Sequence, residues 1–285
     1  MRQLSEVASA RDNAAILAEL TSAFESIASM RIAQVKDQVQ RSSLFFDDLW
    51  RIYSQLRVDK SFNYGRAQGG YKTSSKELMI LITSEGSFSG DIDHQLVEAA
   101  LANYSPSKND IIVIGYHGIA QLHQHQIQAV LNFKLPTSDE NINVAPLVAA
   151  VQQYASTVVY YESYISLMQQ DVKTLVLGEA ISNRGANVKK GEEIISERTY
   201  IFEPSTRGVI EHLERAMVGI ALSEVILQSK LAQYASRFRA NRAAHEKAEE
   251  SLSDLSWLYA RGRRQLKDER LKEIIGGLRR EEQTL

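Results

Sequence analysis

The loop Thr83-Ser-Glu-Gly-Ser-Phe-Ser-Gly-Asp91 gathers hydroxyls, glycines and carboxylates directly after an apolar run. Such a turn can cradle a phosphate, and the position after a first strand is where doubly wound folds bind ligands. The known phosphate motifs are not met, since no lysine follows Gly90 and the GxGxxG spacing is missing. The plain alternative is a strand-to-helix turn in which Asp91 or Asp93 caps the next helix. A nucleophilic Ser87 would need a GxSxG elbow, which GSFSG is not, and no His/Asp partners can be assigned to it.

His117, His123 and His125 crowd one region and raise the question of a metal. Histidines at i and i+2 point to different sides of a helix and cannot ligate together there. No carboxylate stands at a convincing helical spacing from them, so they read as polar residues of a solvated helix. The chain has no cysteine, which removes disulfides, thiolate metal sites and a cysteine nucleophile at once. These residues give no reason to expect a cofactor, a metal or a catalytic group.

The whole chain is 285 residues long, 44% hydrophobic and 24% charged, with a formal net charge of -2. That composition excludes a disordered, collagenous or disulfide-stapled protein. The near-neutral charge argues against a dedicated nucleic-acid binder. No uninterrupted apolar stretch approaches the roughly 18 residues of a membrane helix. The start has neither a signal-peptide nor a transit-peptide pattern.

Helix breakers divide the sequence. All four prolines (Pro106, Pro136, Pro146, Pro204) lie in the middle, no glycine precedes Gly65, and neither type occurs between Gly219 and Gly262. A first helix is expected from about Gln3 to Arg57, where Ile16, Leu20, Phe24, Ile27, Ile32 and Val35 trace one apolar stripe. In the last helix Leu213, Met217, Ile220, Glu224, Leu227, Leu231, Tyr234, Phe238, Asn241, His245, Ala248, Leu252 and Leu255 alternate by four and three. That is a heptad seam. Its polar members Glu224, Asn241 and His245 either fix register inside the coil or lie at the edge of a drifting supercoil. Some 65 helical residues would span roughly 100 Å, against a radius of gyration near 19 Å for a compact chain of this length. Part of the molecule must therefore project.

The middle carries short Ile/Val-rich runs at Glu77–Thr83, Asp110–Gly115 and Val172–Gly178. Helical stretches are expected between them, near Asp93–Tyr104, His117–Leu131 and Ala145–Met168. Strand and helix in alternation predict a parallel sheet with crossover helices. The alternating segment Glu192–Glu203, after the turn-rich Ser182–Asn187, predicts an antiparallel hairpin. The expected fold class is α/β, a long antiparallel coiled coil of terminal helices with an inserted Rossmann-like domain. The boundaries are 1–60 for the first helix, 61–206 for the α/β domain and 207–285 for the last helix.

Four separated segments resemble the gamma subunit of the F-type rotary ATP synthases. Tyr259-Ala-Arg261-Gly-Arg263-Arg264 followed by Glu273-Ile274-Ile275-Gly276-Gly277 echoes the family's Tyr-Asn-Arg-x-Arg-Gln…Glu-Ile-Val-x-Gly. Tyr200-Ile-Phe-Glu-Pro-Ser205 is similar to the segment that precedes the family's long last helix. Leu81-Ile-Thr-Ser-Glu85…Gly90 resembles Leu-Ile-Thr-Ser-Asp-Arg-Gly-Leu-Cys-Gly-Gly, and Thr21-Ser-Ala-Phe…Ile27-Ala28…Arg31 resembles Thr-x-Ala-Met…Val-Ala-Ala-Ser-Lys. The order and spacing agree across most of the chain. Departures concentrate in two places. The loop after the first strand loses an Arg and a Gly, and near the C-terminus Arg264, Asp268 and Arg270 replace the family's Gln, Thr and Glu.

The resemblance implies a non-catalytic rotor shaft that couples ion flow to conformational cycling of the catalytic beta subunits. Its coil would sit inside a ring of alternating alpha and beta subunits. The α/β domain would lie near an epsilon-type subunit and the membrane c-ring of proton- or sodium-carrying subunits. The membrane is met only through the complex, on the cytoplasmic face of a bacterial cell membrane. A seam free of Gly and Pro suits a stiff shaft. The resemblance places Arg31, Tyr259, Arg261, Arg263 and Glu273 at family positions facing the ring, with Arg264, Asp268 and Arg270 at the divergent tip. Two other readings stand beside it: a coiled-coil scaffold without a rotary role, and a nucleotide sensor using the Ser84–Asp91 loop.

Overall fold

The computed structural model describes residues 2–55, 74–86, 89–135, 142–181 and 205–283, with the single positions 201 and 203. In chain order the elements are α1 (Arg2–Gln55), β1 (Glu77–Ile82), α2 (Ile92–Leu101), β2 (Asn109–Ile114), α3 (Tyr116–Gln124) and β3 (Leu131–Phe133). They continue with α4 (Ala145–Val151), β4 (Thr157–Tyr164), β5 (Gln170–Val176) and α5 (Thr206–Gln283). The fold is mixed α/β with long terminal helices. Packing divides it into two compact units, residues 28–237 and residues 1–27 with 238–285.

In the 28–237 unit five strands form one sheet in the order β3-β2-β1-β4-β5. Strands β3, β2, β1 and β4 run parallel, and β5 returns antiparallel to β4. Central β1 is paired on both edges, with Ile80 opposite Ile112 and Val159. Because side chains alternate across a strand, its residues sort onto two cores. Leu78, Ile80 and Ile82 pack with Val159, Phe46, Met217, Leu222 and Ile226. Met79 and Leu81 pack on the other face with Leu96, Val97 and Leu122 of α2 and α3. A strand covered on both faces must be apolar along its buried length, and β1 is from Leu78 to Ile82. Ile80→Ala should therefore lower stability by about 2–5 kcal/mol through the cavity it leaves, read as a drop in the thermal unfolding midpoint.

Several sequence expectations are corrected here. Ala145–Met168 is not one helix, because α4 ends at Val151 and β4 occupies Thr157–Tyr164. The run Thr157-Val-Val-Tyr-Tyr161 is β-branched and aromatic, and it fills the sheet position beside β1. The helix expected over His117–Leu131 stops at Gln124, and Leu131 begins β3. The expected strand Val172–Gly178 is β5, a hairpin partner of β4 and not a crossover strand, closed by Ser166 N–H donating to Gln169 O at 2.9 Å. The hairpin expected at Glu192–Glu203 lies outside the described residues apart from 201 and 203, as do positions 56 and 57 of the first helix.

In the other unit α1 and α5 pair antiparallel. Gly262 faces Leu4, Arg11 meets Tyr259 and His245 meets Ala18, so one chain number rises as the other falls. On α5 the inward positions Asn241, His245, Ala248, Leu252, Leu255 and Tyr259 keep the four-three alternation. On α1 the apolar stripe expected from the sequence divides. Ile32 and Val35 turn inward in the 28–237 unit, whereas Ile16, Leu20, Phe24 and Ile27 are exposed. The α1 seam is instead built from small or polar residues, Ala14, Ala18, Thr21, Glu25 and Ala28, again spaced by four and three.

Candidate functional site

Two places combine unusual chemistry with the sequence expectations: the outer surface of the coil, and the polar ground beneath the Ser84–Asp91 loop.

Along the last part of α5, Trp257, Arg261, Arg264, Asp268, Leu271 and Ile275 are all exposed and step by four, three, four, three and four. That stripe lies opposite the seam. Arg261 holds its guanidinium 5.5 Å from the centre of the Trp257 ring, which pre-orients both groups outward. Arg263, Arg270 and Glu273 are also exposed. Tyr259 differs. It is half-buried in the seam, and the Arg11 guanidinium lies 4.7 Å above its ring. Arg11 is itself fixed by Asp12 Oδ1 at 2.7 Å. The residues from Tyr259 to Glu273 share one stretch of helix, and Arg31 is half-buried in the 28–237 unit.

The coil surface also contains residues that sequence reasoning assigned to no contact. Ile16 and Leu17 are each 55% exposed, and Leu20, Phe24 and Ile27 continue the same face. The signal was present in the sequence: alanines at 14, 18 and 28 already define a seam in heptad register. Of the polar seam residues, Asn241 is buried, and His245 Nδ1 donates to the Ala18 carbonyl oxygen at 2.9 Å. Glu224, in the 28–237 unit, is buried too. Asn241 and Glu224 therefore lie inside the packing, whereas His245 is half-buried and also lies 3.5 Å from exposed Glu249.

The loop after β1 sits where chain order reverses in the sheet, between β1 and β4, the usual ligand crevice of an α/β fold. Here α5 fills it. Ser236 Oγ donates to Ser89 O at 2.6 Å, Arg237 Nη2 to Gly86 O at 2.9 Å and Ser229 Oγ to Ile82 O at 3.4 Å. Ser84 and Ser89 are buried beneath it. Gly90 turns the chain with a φ of 73°, and Gly115 has a φ of 99°, where a Cβ would stand 2.1 Å from the Thr83 carbonyl oxygen. Asp91 makes no capping bond to helix α2. Asp93 looks back into the loop, accepting from Ser84 N–H at 2.7 Å, from the Ser84 and Ser89 hydroxyls at 2.6 Å each, and from His117 Nδ1 at 3.1 Å. Burial pushes its pKa up, but the Ser84 and Ser89 donors outweigh that and leave it below the usual aspartate value. Of the other histidines, His125 lies 3.6 Å from Glu98 and His123 is exposed. Among the described residues no group of three or more metal-ligating side chains is assembled, and no helix is long and apolar enough to cross a membrane.

Fold and surface together define a class: a protein whose terminal helices pair as an antiparallel coil and whose middle is an α/β sheet unit. A family model described as ATP synthase matches residues 3–279. A relative from Streptomyces coelicolor, an ATP synthase gamma chain, is 24% identical over 280 residues, covering 91% of this chain and 90% of its own. The ATP synthase gamma chain of Clostridium novyi is 22% identical, with 93% of each chain covered. Among solved structures, a chain of the OSCP/F1/c-ring assembly of the Euglena gracilis mitochondrial ATP synthase superposes with a TM-score of 0.63 at 15% identity, covering 96% of this chain and 94% of that one. A chain of the Tetrahymena thermophila central stalk and c-ring superposes at 0.54. The chain belongs to the ATP synthase family, as one of its gamma chains.

Proposed function

We propose that this chain is the central rotor shaft of an F-type ATP synthase, transmitting rotation between an ion-carrying membrane ring and the catalytic subunits. The observation that carries the reading is the inversion of the α1 coil: small residues line the seam, while Ile16, Leu17, Leu20 and Phe24 face outward. A free-standing scaffold would place its large apolar side chains in the seam, where they exclude water. An apolar stripe beside an exposed Arg/Trp stripe fits a shaft enclosed by other subunits.

In this role the chain performs no bond chemistry. ATP is made or split on the beta subunits, and the shaft contributes asymmetry, each angle favouring a different conformation of each neighbour. The helices within 1–60 and 207–285 form the shaft, and 61–206 forms the domain beside an epsilon-type subunit and the c-ring. Arg31, Tyr259, Arg261, Arg263, Arg264, Asp268, Arg270 and Glu273 are the contact set toward the alpha/beta ring. Tyr259 acts through the coil it helps hold. The complex attaches the chain peripherally to the cytoplasmic face of a bacterial membrane, with protons or sodium as the coupling ion.

The nucleotide-sensor reading is disfavoured by the occupancy of the switch-point crevice, where the Ser84 and Ser89 side chains are buried under α5. A pull-down of the tagged chain from its native host tests the proposal. Stoichiometric ATPase alpha and beta subunits are expected. Their absence from a folded, well-expressed sample would overturn it in favour of the scaffold.

A further inference from the structure

The seam of the coil runs to Gly262, which stands beside Leu4. Past it, every residue from Lys267 to Gly276 is exposed, Leu271, Ile274 and Ile275 among them. An uncovered helix is marginal in water, and large apolar side chains at i, i+3 and i+4 form a ridge that calls for a facing surface. A surface of that kind exists in the same unit. Ile16, Leu17, Leu20, Phe24 and Ile27 make an outward apolar stripe on α1. Charge on α5 is sorted into two bands. Between Arg261 and Glu273 six basic residues stand with three acidic ones, whereas between Glu246 and Asp254 four acidic residues stand with one lysine. All of these charged side chains are exposed.

We propose that the free chain pairs with a second copy of itself as a two-fold antiparallel dimer, in which the uncovered stretch of each α5 lies along the outward α1 stripe of the other copy. Charge sets the placement. Parallel pairing would put like bands side by side. A two-fold axis across the coil instead brings the acidic band of each copy against the basic band of the other, provided it passes midway between them, near residue 258. Trp257 and Leu258 stand there, 62% and 46% exposed, and a tryptophan at the centre of an interface is a common anchor. With the axis at that point, residues 271–275 of one copy come level with residues 242–246 of the other. That is the level at which His245 meets Ala18, in the middle of the α1 stripe. The apolar ridge and the apolar stripe thus come together at a placement fixed by charge alone.

The overlap covers about 50 Å of helix at 1.5 Å per residue. At a width of about 10 Å it buries on the order of 1,000 Å² in total, enough for a specific but weak interface. A dissociation constant on the order of 10 μM is expected. The faces covered in this way are the ones proposed to meet the alpha/beta ring, so the pair and the enclosed shaft exclude each other. Self-pairing keeps the apolar surface of a chain not yet enclosed out of water and is undone on assembly.

Sedimentation of the purified full chain is the first test, with a monomer–dimer equilibrium expected that weakens severalfold from low to high salt. Because the chain has no cysteine, Leu258→Cys introduces a single thiol beside the axis. Mild oxidation should link it to its own copy, whereas Ser107→Cys, exposed in the other unit, should stay unlinked. Charge exchange gives the sharpest reading. Glu250→Lys with Asp254→Lys, and Arg264→Glu with Lys267→Glu, should each be monomeric alone and dimerise when mixed, since mixing restores both contacts between unlike bands. All four positions are exposed, so folding is not at stake. A monomer at every concentration up to about 100 μM, tenfold above the expected dissociation constant, would overturn the proposal. Open-ended oligomers, equal linking at positions 107 and 258, or a mixture that stays monomeric would each do the same. None of these results touches the recovery of alpha and beta subunits in the pull-down, so the rotor reading stands or falls separately.

Discussion

Reversing Arg261 and Arg263 to glutamate together should cut ATP-driven ion pumping by the assembled complex roughly 30-fold or more, with the isolated chain still folded. Both side chains are exposed on α5, and Arg261's described contact is the Trp257 ring of its own helix. Exposed substitutions of this kind shift stability by about 0.5 kcal/mol, and the lost cation–π contact adds about 0.5–1 kcal/mol. Against an enclosing subunit the balance is different. Truncating one member of a desolvated charge pair costs about 2–5 kcal/mol, and reversal adds repulsion. Since about 1.4 kcal/mol is tenfold, the lower end already exceeds an order of magnitude. Pumping and ATP hydrolysis measured in parallel in membrane vesicles separate coupling from assembly. Unchanged pumping in a fully assembled double variant would remove these arginines from the contact surface.

Arg261, Arg264 and Asp268 entered through the family resemblance, and the face they share with Trp257 follows from helical spacing that the sequence reading did not apply to them. The α5 seam was legible because its information is local, down to its polar members Asn241 and His245. What those polar groups do was not, because the Ala18 carbonyl that accepts from His245 lies at the far end of the sequence. The central strands β1 and β2 announced themselves as continuous Ile/Val runs, which strands buried on both faces must be. Strand β4 was hidden because no Gly or Pro follows Pro146 before it, and its buried aromatic run also fits a helix. Side-chain pairing across the fold leaves no local trace at all. Glu162 reads as one polar residue of an aromatic stretch, and its burial beside Ser229 of α5 depends on the sheet order.

The α1 stripe shows a different limit. Periodicity finds the apolar face of a helix but not what covers it, and here the larger residues faced outward while Ala14, Ala18 and Ala28 made the seam. Small residues let the backbones approach closely enough for a side chain to reach a carbonyl on the other helix, as His245 does. The cost is a seam with little apolar area, which leaves the coil dependent on its fit.

Substituting Ala18 tests that fit directly. Ala18 is 7% exposed, and its carbonyl oxygen accepts from His245 Nδ1 at 2.9 Å. Ala18→Leu places three extra carbons where no space is left, and overpacking of this kind costs about 1–3 kcal/mol. Displacing the carbonyl from His245 forfeits a hydrogen bond with a net contribution of about 0.5–1.5 kcal/mol. The combined loss of about 1.5–4.5 kcal/mol should appear as a lowered midpoint in circular dichroism melts of the full chain. Leu20→Ala is the matched control: at 49% exposure it should change the melt by no more than about 0.5 kcal/mol. If α1 paired instead through its large apolar residues, the order would reverse, with Leu20→Ala the damaging change and Ala18→Leu tolerated on an open face. The same two variants also separate folding from function. Leu20→Ala should leave a stable chain that joins the complex less tightly if its exposed side chain meets the subunits proposed to enclose the shaft.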